Sequence, residues 1–348
     1  MMTPMQRVRT AMDHREPDRV PVFLLTTLHG ARELGLSIRE YYARAENVVE
    51  GQKRLLEKYR SDCLYPFYYA ALEIEAFGGE TIFIDDGPPN AGAPIIRSSS
   101  DIDRLEPPRV AEVAALQRGL ETIRQLKQRV GDTVPIVGSV ISPFSLPIMQ
   151  MGFDHYIELI YDEPERFARL MAVNQRFCVE WANAQLAAGA TAIGYADPMS
   201  STLNIPRSLY LKTGHKVAME TLPQINGATA IHLASGRGLA IAGDMAATGA
   251  SAVGVSTLED LAAWKAAVGD KLTLIGNLNG VEMRRWTGDQ AEQQVKQAIA
   301  KAGRGGGFVL ADNHGEIPWQ VPGEVLLAIR AAVERWGRYP LDWVEQGE

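Results

Sequence analysis

Two short stretches gather side chains able to hold a proton or a metal. ATAIHL runs to His232, and FVLADNHGE carries Asp312, His314 and Glu316 in close succession. Imidazole titrates near neutrality, so His314 suits proton transfer or hydrogen bonding to a substrate, with Asp312 as a carboxylate beside it. A nitrogen/oxygen set from His232, Asp312, His314 and Glu316 could instead hold a divalent metal such as zinc with one position left for substrate. His314 has a third reading, a ring satisfied by backbone groups in a closed loop. Asp197, in GYADPMSS, precedes Pro198, which fixes the chain as it leaves the apolar run. Its carboxylate could orient a catalytic partner or accept from a substrate, or it could close an Asx turn.

Other candidates are binders rather than reactants. Tyr68 and Tyr69, with Phe67, could stack on a planar ligand or pack under a lid. His29, Tyr195 and Asn277 each end or follow an apolar run, where a substrate could meet them. Arg237 in SGRGLAIAG could clamp a carboxylate, with Gly236 and Gly238 opening a helix toward an anion. Their spacing does not match a dinucleotide fingerprint. Cys63 and Cys178, the two cysteines, form no CxxC, which excludes a cysteine-rich zinc site.

These residues need a scaffold that brings strand ends together. From Val20 onward, short β-rich apolar runs alternate with longer amphipathic ones, the pattern of parallel strands and covering helices. Eight strands are predicted, at residues 20–25, 62–67, 135–140, 192–196, 228–233, 252–255, 273–276 and 307–311. Helices are expected at 238–248, 258–268 (capped by Thr257) and 290–302. A β-hairpin of 81–85 and 94–96 is inserted after the second strand. Helices 146–151 and 163–188 enlarge the third crossover. Eight βα units close an α/β (β/α)8 barrel, read as one domain over residues 1–348, with chemistry at the strand C-termini. Every candidate, Tyr68 and Tyr69 after the second strand included, follows or ends a run on that face, three of the six histidines among them. GRGGG at 303–307 lies on the other face and receives no catalytic role.

The formal net charge of −7 argues against a nucleic-acid footprint, which needs a clustered basic face. No run of about 18 apolar residues occurs, so no membrane span is expected. The opening MMTPMQRVRTAMDHREPDRV is polar rather than a secretory core, and a reducing cytoplasm fits two cysteines in so long a chain.

Several segments resemble the uroporphyrinogen decarboxylase superfamily, which includes the methylcobamide:coenzyme M methyltransferases. They are REPDRVPV, YRSDCLYPFYYAALEIEAFGGE, GATAIGYADPMSS, NHGEIPWQVPGEV and, most typical, DMAATGASAVGVSTLEDLAAWKAAVGDKLTLIGNLNG. The resemblance implies the barrel fold and two activities. A porphyrinogen decarboxylase uses paired arginines after the first strand and an aspartate at the tip of the second. Here the first loop reads LLTTLHGAREL, with only Arg32 nearby, and Tyr69 stands at the aspartate's place. The thiol-methylating branch binds zinc through a histidine, a cysteine two residues later and a second cysteine after the last strand. This chain keeps His232 but has Ala234 at the first cysteine position and none at the second. The resemblance therefore implies, first, a corrinoid-dependent methyltransferase. It would move a methyl group between a small O-, N- or S-methyl compound and cobalamin, free or on a corrinoid protein, with zinc as a possible metal. Alternatives are a lyase acting on a tetrapyrrole or other carboxylated ring, and a non-catalytic corrinoid- or tetrapyrrole-binding protein.

Overall fold

The computed structural model describes residues 2–269 and 271–344. Its centre is a curled sheet of seven parallel strands in the order β1-β9-β8-β7-β6-β5-β4. These are β1 (Val22–Phe23), β4 (Val137–Ile141), β5 (Ala192–Ala196), β6 (Ala228–His232), β7 (Ala252–Gly254), β8 (Thr273–Leu278) and β9 (Phe308–Asp312). Strands β2 (Thr81–Ile82) and β3 (Asn90–Ala91) form a separate antiparallel pair. The first strand joins the last at a seam with Val22 opposite Leu310 and Phe23 opposite Ala311.

The eighth barrel position is filled by residues 62–64. Asp62 N–H donates to Val22 O (2.7 Å), Leu64 N–H to Pro135 O (2.8 Å) and Val137 N–H to Leu64 O (2.9 Å). Beyond Leu64 the ladder stops, because Pro66 has no N–H to offer and the chain turns away. Two side chains take over the orphaned edge of β4. Gln185 accepts from Ser139 N–H (3.0 Å) and donates to Ser139 O (2.9 Å). Glu73 accepts from Ile141 N–H (2.9 Å). Buried backbone groups are thus satisfied without a full strand.

Helices cover the outer face. In helix Pro164–Ala188 the buried Leu170, Val173, Phe177, Trp181 and Gln185 recur at helical spacing, and Gly189 ends it in the left-handed region (φ 119°). Outward strand residues such as Ile193, Ile231, Val253 and Leu310 are fully buried beneath these helices.

Several expected boundaries shift. The hairpin arms are Thr81–Ile82 and Asn90–Ala91 rather than 81–85 and 94–96, since Thr81 pairs with Ala91 and Ile82 with Asn90, and Pro88 and Pro89 have no N–H to extend the ladder toward the turn. Helix Leu261–Val268 is capped by Asp260, whose carboxylate accepts from Ala263 N–H (3.0 Å), not by Thr257. The stretch expected as one helix at 238–248 splits into a 3-10 turn, Leu239–Ile241, and a short helix, Ala242–Ala246. Helix Gly288–Ala302 starts two residues earlier than expected, on a Thr287/Gln290 capping box.

Candidate functional site

Parallel strands alternate their side chains between helices and lumen. On β6 this turns His232 inward, at the rim of a cavity of about 510 Å³ also lined by Tyr65, Phe67, Ser145, His314 and Glu316. His232 fits because two glycines yield to its ring. A Cβ on Gly254 would lie 2.5 Å from His232 Cδ2, and one on Gly315, where φ is +86°, would lie 3.2 Å from Cε1. His232 Nδ1 accepts a hydrogen bond from Ala234 N–H (3.1 Å), so in the neutral ring Nε2 carries the proton. Burial, with His314 nearby, pushes its pKa down to about 4, so the ring is neutral at pH 7. Gly254→Ala is therefore expected to drive the imidazole out of place. Its overpacking costs about 1–3 kcal/mol, read as a lower melting temperature together with weaker turnover. A variant matching wild type in both would refute the packing argument.

The loop after β9 supplies the acids. Glu316 is half-buried, and its Oε1 accepts from the Thr27 hydroxyl across the seam. Burial raises its pKa to about 7, with Asp312 adding to the rise and Thr27 opposing it. Asp312 is also raised to about 7 by burial. One of its oxygens accepts from His314 N–H (2.8 Å), and the other has no hydrogen-bond partner. Asp312 does not line the cavity. It sits behind His314, under Gly280, where a Cβ would come within 3.5 Å of Asp312 Oδ2. Burial lowers the His314 pKa, and its Nδ1 is unpartnered. The mouth thus presents one carboxyl that titrates near neutrality and two neutral imidazoles.

The structure separates other candidates from this group. Asp197 is buried, accepting from Ser142 Oγ (2.6 Å), Ser145 Oγ (2.7 Å) and Ser200 Oγ (2.5 Å). Burial raises its pKa while the three serines lower it. It ties the loops after β4 and β5 together instead of facing a substrate, and no Asx turn is needed to explain it. Tyr195 points outward into the helix layer, because it alternates with the lumen-facing Gly194 and Ala196. Tyr68 bonds Thr122 Oγ1 (2.8 Å) and Tyr69 donates to Glu75 (3.1 Å) within a buried cluster with Tyr42. Of that aromatic run, Phe67 reaches the cavity, stacked on Tyr65 at 5.5 Å. His29 is buried near Trp319 with both nitrogens unpartnered, and burial lowers its pKa to about 3. Arg237 is exposed, offering its carbonyl to Thr202 N–H. Asn277 donates to Ser256 O (2.9 Å) and Glu259 O (3.1 Å), bracing a side loop.

The metal set is not assembled. Among the described residues no three His, Cys, Asp or Glu side chains converge to hold an ion. Glu316 is engaged by Thr27, His232 Nδ1 by Ala234 N–H and Asp312 by the His314 backbone, and Ala234 stands at the family's cysteine position. Zinc does not fit these residues as they are arranged. Sequence reasoning also passed over Tyr65 and Glu73. Cys63, Tyr65 and Phe67 alternate with the outward Leu64, so period two would have found Tyr65. Nothing local marks Glu73, whose partner Ile141 lies far along the chain.

Known proteins resemble this chain in sequence and in fold. A uroporphyrinogen decarboxylase from Methylococcus capsulatus is 27% identical over 338 residues, covering 92% of this chain and 95% of its own. The methylcobamide:CoM methyltransferase MtaA of Methanosarcina barkeri is 26% identical over 62% of this chain and 63% of its own. Among solved structures, a methyltransferase from Methanosarcina mazei superposes with a TM-score of 0.82 at 22% identity, covering 96% of this chain and 99% of its own. That likeness shows the barrel fold. The family model described as uroporphyrinogen decarboxylase (URO-D) matches residues 3–336, and the chain belongs to that family.

Proposed function

We propose that this protein transfers a methyl group between a small O-, N- or S-methyl compound and a corrinoid, free or carried by a partner protein. The observation that supports this reading is the site's charge pattern. Glu316, titrating near neutrality, stands at the mouth of a mostly apolar cavity where the one cationic lining residue among those described, Arg9, belongs to the helix at the far end. A carboxylated tetrapyrrole needs cations around it, whereas a neutral methyl compound needs a proton at its leaving heteroatom. Protonated Glu316 donates that proton as the carbon–heteroatom bond breaks, and the carboxylate takes one from an acceptor O–H, N–H or S–H in the reverse direction. His232 Nε2–H donates to the same heteroatom and steadies its developing negative charge. Asp312 is a positioning residue, holding the His314 backbone and raising the Glu316 pKa through its charge.

A corrinoid supplies the methyl-carrying centre when bound. The cavity has the volume of a small-ligand site, so the macrocycle would lie across the mouth. Exposed Ile82, Ile84, Phe153, Leu203, Leu258 and Val281 all lie on segments that follow strand C-termini, apolar side chains that a corrinoid or its carrier protein would cover.

The test mixes purified protein with reduced cobalamin and a panel of methyl ethers, amines and thioethers, following the cobalamin spectrum. A protein-dependent spectral change with one class of compound is expected. Loss of carboxyl groups from a porphyrinogen without cobalamin would favour the lyase, which full-length relatives bearing that name support. Tight corrinoid binding with no turnover of any compound would favour the non-catalytic reading.

A further inference from the structure

An eight-stranded barrel ordinarily fills its interior with layers of large branched side chains. This one does not. The inward positions of three adjacent strands are Ala192, Gly194 and Ala196, then Ala228 and Ala230, then Ala252, and the strand register sets Gly194 beside Ala230 and Ala230 beside Ala252. The cavity consequently continues below the mouth. It runs from Glu316 and His314 down to Met5 and Met12 of the first helix, which form its floor. Strands β5 and β6 have five residues each, so at about 3.3 Å per residue the lumen is roughly 15 Å deep.

The small residues are not required by the backbone. Gly194 is not among the positive-φ glycines, and a Cβ there would meet nothing nearer than Gly138 O at 3.6 Å. Gly254 differs, since its missing Cβ makes room for His232. The lumen is open by composition, against the close packing that protein interiors otherwise adopt. Its remaining walls are mostly apolar, with Phe23, Ile275 and Val309 beside Tyr65, Ser139 and Thr273, and among the described residues no charged side chain lines it between Glu316 and Arg9.

We infer that the lumen takes the uncharged, elongated apolar body of the substrate, an alkyl or alkyl-aryl group, while the reacting heteroatom stays at the mouth. The position of the heteroatom rests on the methyl-transfer reading. The occupancy of the lumen does not.

Binding of methoxybenzene and its 4-alkyl homologues, measured calorimetrically without corrinoid, tests this. Affinity should rise about fourfold per methylene over the first several carbons, and 4-methoxybenzoate should bind worse than 4-methyl methoxybenzene. Gly194→Leu, a plug in the lumen wall, should abolish the chain-length gain. Gly194→Ala, whose Cβ has room, controls for folding and should keep most of the gain, with circular dichroism checked for both variants. A flat chain-length series in wild type, a preference for the carboxylate, or an unchanged slope in folded Gly194→Leu would each overturn the inference. If the series rises but no ether, amine or thioether of the panel is demethylated with cobalamin, the lumen site stands and the methyl-transfer reading falls. Demethylation with a flat series has the opposite meaning.

Discussion

Glu316→Gln should lower methyl transfer by about 10²–10⁴-fold, the range for loss of a general acid or base, while making the protein more stable at alkaline pH. Glutamine keeps an oxygen for the Thr27 hydroxyl, so the loop should hold its place. What it lacks is the exchangeable proton. The pH consequences follow from the pKa, raised by burial from 4.5 to about 7. Between these values the unfolded chain has released its proton while the folded chain retains it. Wild-type stability therefore falls as pH rises from 4.5 to about 7, then levels off. The variant should escape the part of that fall due to Glu316 while keeping the part due to Asp312, matching wild type near pH 4 and exceeding it at pH 8 in denaturant melts. In the direction that protonates a leaving group, wild-type kcat/KM should decline as pH rises through about 7. The residual activity of the variant should lack that limb. Equal pH profiles for the two proteins would remove Glu316 from the proton-transfer role.

Asp62→Ala should produce the largest loss of stability. The Asp62 carboxylate meets the guanidinium groups of both Arg7 and Arg19 at 2.6 Å, and it accepts from Val22 N–H (2.8 Å). All three side chains are less than a tenth exposed. Removing the acid leaves two buried cations facing each other, which costs about 3–5 kcal/mol. Arg7 retains Asp18 and Arg19 retains Glu334 at 3.4 Å, so the chain should still fold at low temperature. The cluster lies at the N-terminal end of the strands, opposite the mouth. Turnover per folded molecule should therefore be close to wild type while the melting temperature drops by several degrees. An unchanged melting temperature would mean the arginines find other partners.

Much of the scaffold is legible in the chain because burial on both sides of a parallel strand demands continuous apolarity. Ala192–Ala196 coincides with the expected strand, and Ala228–His232 ends one residue earlier than expected. The run at 62–67 reads as a strand for the same reason, yet only its first half pairs, because Pro66 ends the ladder and distant Gln185 and Glu73 complete it. Local composition cannot reveal that substitution. At the site, the loop after β9 and His232 were readable from residue type and position. The direction of each side chain was harder. Tyr195 is excluded by alternation, a signal present in the sequence, whereas Tyr68, Tyr69 and Asp197 are decided by partners that only tertiary structure supplies. Residues 258–268 read as one helix, yet Leu258 is exposed on a loop, since the helix begins at Leu261.

The seam between β1 and β9 gives the acid site an unusual dependence on the order of synthesis. Thr27 follows the first strand to be made, and Glu316 follows the last. A ribosome-bound chain that has built every strand but β9 carries His232 yet has neither the acid nor the edge that its first strand must join. The proton-delivering arrangement is thus absent from all partly assembled barrels and arises in the same event that seals the cylinder. Emergence of activity during translation or refolding should accordingly coincide with ring closure and show no earlier partial phase.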